Sequence, residues 1–375
     1  MTKSRIANHQ SPTTNRQYYW IIGLTTVMVF FGLTMVTSAS QIIAYSKYKD
    51  SLYFFKKQAL YAVVGAFLFW LASRLDYRKL RQASWPLAIS CIALLVMVFI
   101  PAIGHSAGGS SRWIPLGLFN LQPSELAKLG AVLLTVYLLD SRKQQLKDAN
   151  GLAPFLVIVL MAILVIAQPD MGTTILLVGA VFVILFIGGL PWRYLSGISV
   201  FGAFSFVGLI FIEPYRFQRL ISFLRPQDHI KEGGFQIIQS LIAMGSGGIV
   251  GVGLAMSKQK FFFLPAAYTD FILAIIGEEL GFLGTLGVVV AFVLLAISGF
   301  SIAYNARDSY GRLLAAGLTV MIIIQALVNM GAVAGLLPVT GVPLPLISFG
   351  GSSMLVTMFA LGIIASIARS ESYGR

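Results

Sequence analysis

The sequence predicts an all-α, polytopic membrane protein with about ten transmembrane helices and a large extracytoplasmic loop between the seventh and eighth. Three observations carry this reading. The 375 residues are 57% hydrophobic and only 11% charged, whereas soluble domains carry about 25% charged residues. Mean hydropathy is +0.83. Apolar runs of roughly 20 residues, the length that crosses a bilayer, recur along the whole chain.

Ten candidate spans follow, at 19–39, 56–73, 84–103, 123–140, 152–168, 171–190, 192–212, 270–303, 312–335 and 347–368. They form a single membrane domain, 19–368, between a cytoplasmic N-terminal tail at 1–18 and a C-terminal tail at 369–375. The first run contains Ser38-Ala39-Ser40, which is similar to a signal-peptidase site. The run is longer than a signal core, so an uncleaved first helix is expected. The eighth run is too long for a simple span and must tilt or extend beyond the bilayer.

Charge orients the chain. With the N-terminus inside, the inner segments hold fifteen Lys and Arg, against five in the short outer segments, Lys47, Lys49, Lys56, Lys57 and Arg112. Basic residues concentrate on the cytoplasmic side of membrane proteins, so both termini are expected inside. The net charge of +13 fits this bias and attraction to anionic headgroups. No basic patch with interleaved base-stacking residues points to nucleic acid. The single Cys91 excludes a disulfide framework, and His9, His105 and His229 lie too far apart for ligand spacing.

The loop at 213–269 is then outside and runs against the inside bias, with Arg216, Arg219, Arg225, Lys231, Lys258 and Lys260. It is either a solvated surface or a meeting place for an anionic group. The Gly/Ser-rich loop at 104–122 is expected to be irregular. It delivers Arg112 and Trp113 to the membrane surface. The segment 336–347, with three prolines, must be non-helical. Glycines 245, 247, 248, 251 and 253 allow tight packing, or approach of backbone N–H groups to a diphosphate. No strand precedes them and no GK[ST] follows, so a nucleotide-binding loop is excluded.

Acids in or at the membrane are costly and are candidates for function. Glu125 and Lys128 share one face of the fourth span as an ion pair lining a cavity, with Ser124 as a plausible cap. Asp170, in QPDMGTT, reads as a helix cap or as a site residue. Asp270 stands where the loop runs into the eighth span, beside Lys258, Lys260 and the aromatic run Phe261-Phe262-Phe263. It too could cap a helix, but a carboxylate in such a place suits general-base work. On a helix starting at Asp270, Glu278 lies about 80° round and is the expected cavity neighbour, while Glu279 would pair with a basic group on another helix.

Long stretches of the chain resemble the SEDS family (shape, elongation, division and sporulation). They are RWIPLGLFNLQPSELAKL, QPDMGTT, GGFQIIQSLIAMGSGG, SKQKFFFLP, TDFILAIIGEELG and NMGAVAGLLPVTGVPLPLISFGGSS. The resemblance runs from the first span to the tenth and leans to the division branch, with the elongation branch as the alternative. It implies a multi-pass protein of the bacterial inner membrane, placed at the septum. It implies a peptidoglycan glycosyltransferase that polymerises lipid II at the outer face, with release of undecaprenyl diphosphate. A class B penicillin-binding protein and other divisome membrane proteins are the implied partners. A divalent cation, Mg or Mn, is implied without ligands that any motif shows, and no organic cofactor is expected.

The family's essential acid falls on Asp270, its cavity residues on Glu125 and Lys128, and its Arg-Trp pair on Arg112 and Trp113. The leaving diphosphate would meet Arg112, Arg216, Arg219, Lys258 or Lys260. The family pattern PE-x-HTDF is broken here: Ala266 and Tyr268 replace the acid and the histidine. A lipid II flippase is the competing class, with charged residues inside the spans lining a path.

Overall fold

The computed structural model describes residues 12–101, 104–107, 110–115, 117, 120–142, 144–147, 149–229 and 233–372. The expected tails lie partly outside the described residues, and Lys231 does so entirely. Twelve helices are described. Ten of them match the expected spans: α1 (Pro12–Tyr48), α2 (Tyr53–Arg74), α3 (Lys79–Met97), α4 (Pro123–Ser141), α5 (Leu156–Ala167), α6 (Met171–Ile187), α7 (Trp192–Ile212), α10 (Ile272–Asn305), α11 (Ser309–Val333) and α12 (Gly351–Ser372). Seven are long and apolar enough to cross a membrane by themselves, and α5 and α6 are shorter apolar helices. Such a chain is a multi-pass membrane protein.

The first helix begins at Pro12 and carries Ser38 to Ser40 in its interior, where Ser38 and Ser40 are buried. At its centre the bundle is built on α11 and α12, which neighbours cover, while α7 stays peripheral with Phe201, Phe204 and Phe211 exposed. The most extensive pairing is α2 on α12. It is close because of glycine: a Cβ on Gly362 would stand 2.5 Å from the Phe69 carbonyl oxygen.

The 34 residues of α10 do not form one straight rod; Gly281 breaks it with φ +66°, a conformation that L side chains rarely take. One expectation for the loops changes. The segment 104–122 is not irregular: β1 (His105–Ala107), β2 (Ser110–Pro115) and β3 (Asn120–Leu121) form an antiparallel sheet in that order. The run Ser110 to Pro115 supplies an extended strand between turn-forming residues, and local pairing outweighs the Gly/Ser content. The large loop also carries helices, α8 (Pro214–Leu224) and α9 (Gly234–Ser246). The segment after α11 is non-helical, as its prolines require.

Both ends of the bundle are stitched by polar side chains. At one end Tyr77 donates to Asp308, which also caps α11 by accepting from the Gly311 amide at 3.1 Å, and Arg81 meets Asp140 at 3.0 Å. At the other end the β-sheet, the α5–α6 turn, the chain between α7 and α10, and the chain between α11 and α12 converge. Asp270 lies there.

Candidate functional site

Asp270 is held by its backbone. The amides of Thr269 and Phe271 both donate to the Ala266 carbonyl, at 3.1 and 3.3 Å, and curl the chain just before α10. From α11, Asn329 Nδ2 donates to the Asp270 carbonyl at 2.7 Å and to the Val342 carbonyl at 2.7 Å. Tyr268 packs on Phe54 of α2, with ring centroids 4.4 Å apart, and its carbonyl accepts from the Phe349 amide at 3.0 Å. Three separate parts of the chain therefore fix one peptide.

The Asp270 side chain is free of this scaffolding. The residue at the N-cap of α10 is Phe271, and no side chain caps the helix. The capping role open to Asp270 in the sequence is therefore not taken. No hydrogen bond to its carboxylate is found among the described residues, and the residue keeps a partly exposed face. Burial by surrounding protein pushes its pKa up to about 6, against the charge of Arg219; Asp170 adds to the rise and Arg112 opposes it. A carboxylate that is half desolvated and not hydrogen-bonded is a competent proton acceptor near neutral pH.

The cations divide into two groups. Arg219 on α8 lies over the Tyr215 ring at 4.6 Å and donates to the Val339 carbonyl at 3.0 Å. Arg112 on β2 donates from Nε to the Gln168 carbonyl at 3.1 Å and also to the Pro169 carbonyl, tying the sheet to the α5–α6 turn; half-buried Trp113 follows it. These two put positive potential on Asp270. Arg216 spends its donors on the last turns of α7 and α5, at Leu209 and Ile166, where carbonyls lack helical partners. Lys258 is exposed.

Lys260 is not where a diphosphate contact requires it. It is buried, 3.2 Å from Glu279, and its ammonium also donates to the Ala255 carbonyl at 2.5 Å. Glu279 accepts in addition from Ser38 of α1 at 2.7 Å. Its basic partner thus comes from the loop rather than from another helix. Glu278 is not an open cavity neighbour either. It accepts from Ser257 Oγ and from the amides of Lys258 at 2.8 Å and Gln259 at 3.3 Å. The two carboxylates are consumed in clamping residues 257–260 onto α10.

Glu125 and Lys128 form the expected pair, at 2.9 Å, with both side chains 2% exposed. Lys128 also reaches Gln325 of α11 at 2.5 Å, and Gln325 donates to the Pro343 carbonyl at 2.9 Å and to Ser353 at 3.0 Å. The pair is the start of a buried network across α4, α11 and α12, shielded from the surface rather than opening onto a cavity. Ser124 does not cap α4; it donates to Asp170 at 3.0 Å, as Gln122 does. Asp170 caps α6 by accepting from the Thr173 amide at 3.2 Å.

Sequence reasoning missed Asn329 and Gln325. A signal was present, since amides inside an apolar span are expensive unless they bond something. It also missed a cavity of about 370 Å³ between α8 and α9, lined by Tyr215, Arg219, Phe235, Gln236, Pro265 and Val339 among others. Among the described residues no group of three His, Cys, Asp or Glu could hold a metal ion. Asp170 already accepts three hydrogen bonds, from Gln122, Ser124 and the Thr173 amide, whereas no hydrogen bond to the Asp270 carboxylate is found among the described residues. These residues do not fit a cation held by protein alone.

Comparison with known proteins agrees with the geometry. The model of the Cell cycle protein family of FtsW, RodA and SpoVE matches residues 17–373. A Geobacter metallireducens protein named "Probable peptidoglycan glycosyltransferase FtsW" is 43% identical over 351 residues, 93% of each chain. Stage V sporulation protein E of Bacillus subtilis is 41% identical over 355 residues, 94% of this chain and 97% of its own. Among solved structures, a chain from work on the structural coordination of polymerization and crosslinking by a peptidoglycan synthase complex superposes with TM-score 0.78 and 29% identity, over 95% of this chain and 98% of that one. Thermus thermophilus RodA superposes with TM-score 0.68 and 28% identity, over 94% and 96%. With residues 17–373 matched by the family model and 94–95% of the chain superposed on the solved structures, this chain belongs to the FtsW/RodA/SpoVE family, the SEDS proteins.

Proposed function

We propose that this chain is a peptidoglycan glycosyltransferase of the FtsW type, which polymerises lipid II at the outer face of the bacterial cytoplasmic membrane during septal wall synthesis. The observation that carries the reading is the state of Asp270. Its peptide is fixed by Asn329, Tyr268 and Ala266, and its carboxylate is left unbonded, with a raised pKa, between Arg219 and Arg112. Both termini lie in the cytoplasm and the Asp270 end faces outward, as the distribution of Lys and Arg favours.

Asp270 accepts the proton of the acceptor sugar's 4-hydroxyl, and that oxygen attacks the anomeric carbon of the donor. The bond to undecaprenyl diphosphate breaks with inversion, and the proton resides on the carboxyl group. Arg219 and Arg112 supply positive potential near the site as negative charge gathers on the leaving group, an effect that is strongest where water is excluded. Lys258 is exposed and meets the diphosphate at the surface. Glu125, Lys128 and Gln325 stiffen the helices behind the site.

Among the described residues no cage for a divalent cation is found, so one that the reaction used would be held mainly by the substrate's diphosphate. The transpeptidase partner is a class B penicillin-binding protein, supported by the likeness to a chain of a peptidoglycan synthase complex. Other divisome membrane proteins complete the assembly.

The test is lipid II polymerisation by purified protein with its partner. Asp270→Asn is expected to lower the rate on the order of 10²–10⁴-fold. Polymerisation at the wild-type rate sinks the reading. If the variant instead abolishes lipid II translocation in vesicles while polymer formation is absent from the wild type, the flippase reading takes its place.

A further inference from the structure

From Gly233 to Ser257 the chain carries no Asp, Glu, Lys or Arg. The first half of that stretch is α9, whose 13 residues rise roughly 20 Å and cannot cross a bilayer of about 30 Å. The chain must therefore turn back, and the structure gives the place. The amides of Val252 and Gly253 donate to the carbonyls of Glu278 and Glu279, both at 3.0 Å. In the other direction, Phe282 and Leu283 donate to the carbonyls of Gly248 and Ile249, at 2.8 and 3.1 Å. The turn thus lies against the break in α10, between six and eleven residues past its start at Ile272. That is roughly 9 to 17 Å along the axis of a membrane-spanning helix.

The glycine run makes this contact possible. A Cβ on Gly251 would lie 2.1 Å from the Glu279 carbonyl oxygen, and one on Gly247 would lie 1.9 Å from that of Gly277. Backbone therefore meets backbone. The way out is clamped by Glu278 and Glu279, which accept from the amides of residues 257, 258 and 259. Non-helical backbone is tolerated at membrane depth only where its polar groups are satisfied by protein, and here the break in α10 and two buried carboxylates take the amides of residues 252, 253 and 257–259. Meanwhile the side chains of the turn face outward: Ile249 is 69% exposed, Val250 74% and Met256 68%, with Val252 and Leu254 also exposed. They continue the exposed apolar face of α10 at Phe282, Leu283 and Leu286.

We propose that α9 and residues 247–256 form a re-entrant segment that dips into the bilayer beside α10, with Ile249, Val250, Val252, Leu254 and Met256 against the hydrocarbon chains of the surrounding lipid. The occupant is lipid because this surface is continuous with the membrane-facing side of α10, carries no charge and turns the amides of Val252 and Gly253 inward onto α10. The segment returns to the interface at exposed Lys258 and exposed Phe261, Phe262 and Phe263, a pairing suited to the headgroup layer. The inference rests on the membrane-spanning fold and is independent of the reaction.

The experiment uses full-length protein in lipid nanodiscs, with Cys91→Ala as background and a nitroxide placed at Val250→Cys or, separately, at Met256→Cys. Labels at Leu283 and Lys56 give the references for lipid and water. Collision with molecular oxygen and with a water-soluble nickel chelate is read by electron paramagnetic resonance. The expected result is high oxygen and low nickel accessibility at both positions, matching Leu283. Nickel accessibility like that at Lys56 overturns the proposal in favour of an aqueous loop. Exclusion of both probes overturns it in favour of a covering protein segment. No turnover is measured, so this result and the polymerisation assay can fail separately.

Discussion

Lys260 and Glu279 form an ion pair at 3.2 Å with side chains 4% and 0% exposed, joining the loop before Asp270 to the first turns of α10, just ahead of its break at Gly281. Removing one member leaves the other buried without its counter-charge, which costs about 3–5 kcal/mol. Lys260→Ala is therefore expected to lower the apparent Tm of the detergent-solubilised protein clearly, and to lower polymerisation through displacement of residues 257–270. The double change Lys260→Met with Glu279→Gln removes both charges, and its Tm is expected to lie above that of the single variant. An unchanged Tm in Lys260→Ala would show that the pair does not hold the loop.

The same pair marks a limit of the sequence. The ten spans were legible because each is an apolar run, and Asp270 was legible as an acid at a loop–helix junction. The partner of Lys260 was not, because it depends on the break at Gly281 and the close approach of residues 247–253 to α10. For the same reason Glu278, placed by helical angle next to a cavity, is found holding three residues of loop. Asn329 is an amide within an apolar helix. Its importance appears only once Asp270 and Val342, far apart in the chain, are brought to it. The sheet at 105–121 was hidden by a Gly/Ser content that outweighed a short strand in the reading.

Asn329 yields the second prediction. Its amide donates to two carbonyls, of Asp270 and Val342, at 2.7 Å each. Asn329→Leu keeps the bulk and removes both donors, and each buried carbonyl left unpaired costs about 1–3 kcal/mol. A lower Tm and a lower kcat are expected. Asn329→Asp places an acceptor, and a charge when ionised, against the same oxygens, and is expected to be worse on both counts. Equal kcat in wild type and Asn329→Leu, in stably folded preparations, would remove Asn329 from the positioning of Asp270.

Ala266 stands at φ +56° and its carbonyl accepts from the amides of Thr269 and Phe271. The left-handed region costs an alanine roughly 1 kcal/mol and is worse for a β-branched side chain. Ala266→Val is expected to lower Tm and activity together, since the Ala266 carbonyl accepts from the amide of the Asp270–Phe271 peptide and so shapes the backbone at Asp270. Ala266→Gly relieves the strain and is expected to keep full activity, with a Tm shift of either sign limited by the extra freedom of glycine in the unfolded chain. Thermal unfolding of the three proteins side by side checks the order.

Asp270 itself ties stability and activity to pH in opposite directions. Its pKa in the folded protein, about 6, lies above the ordinary 3.8 because burial disfavours the charge. The folded state then holds a proton more tightly than the unfolded state between these values, so stability falls as pH rises from about 4 to about 6 and stays lower above. Asp270→Asn cannot ionise and escapes that loss. Its Tm is expected to exceed that of the wild type near neutral pH, with the gap closing on acidification through pH 6 towards 4. The polymerisation rate of the wild type follows the ionised form, rising through pH about 6 and levelling above, because only the carboxylate accepts a proton. A rate limb near pH 4, or a Tm gap that does not change with pH, would show that Asp270 titrates as an ordinary surface carboxylate and would remove the desolvated base from the mechanism.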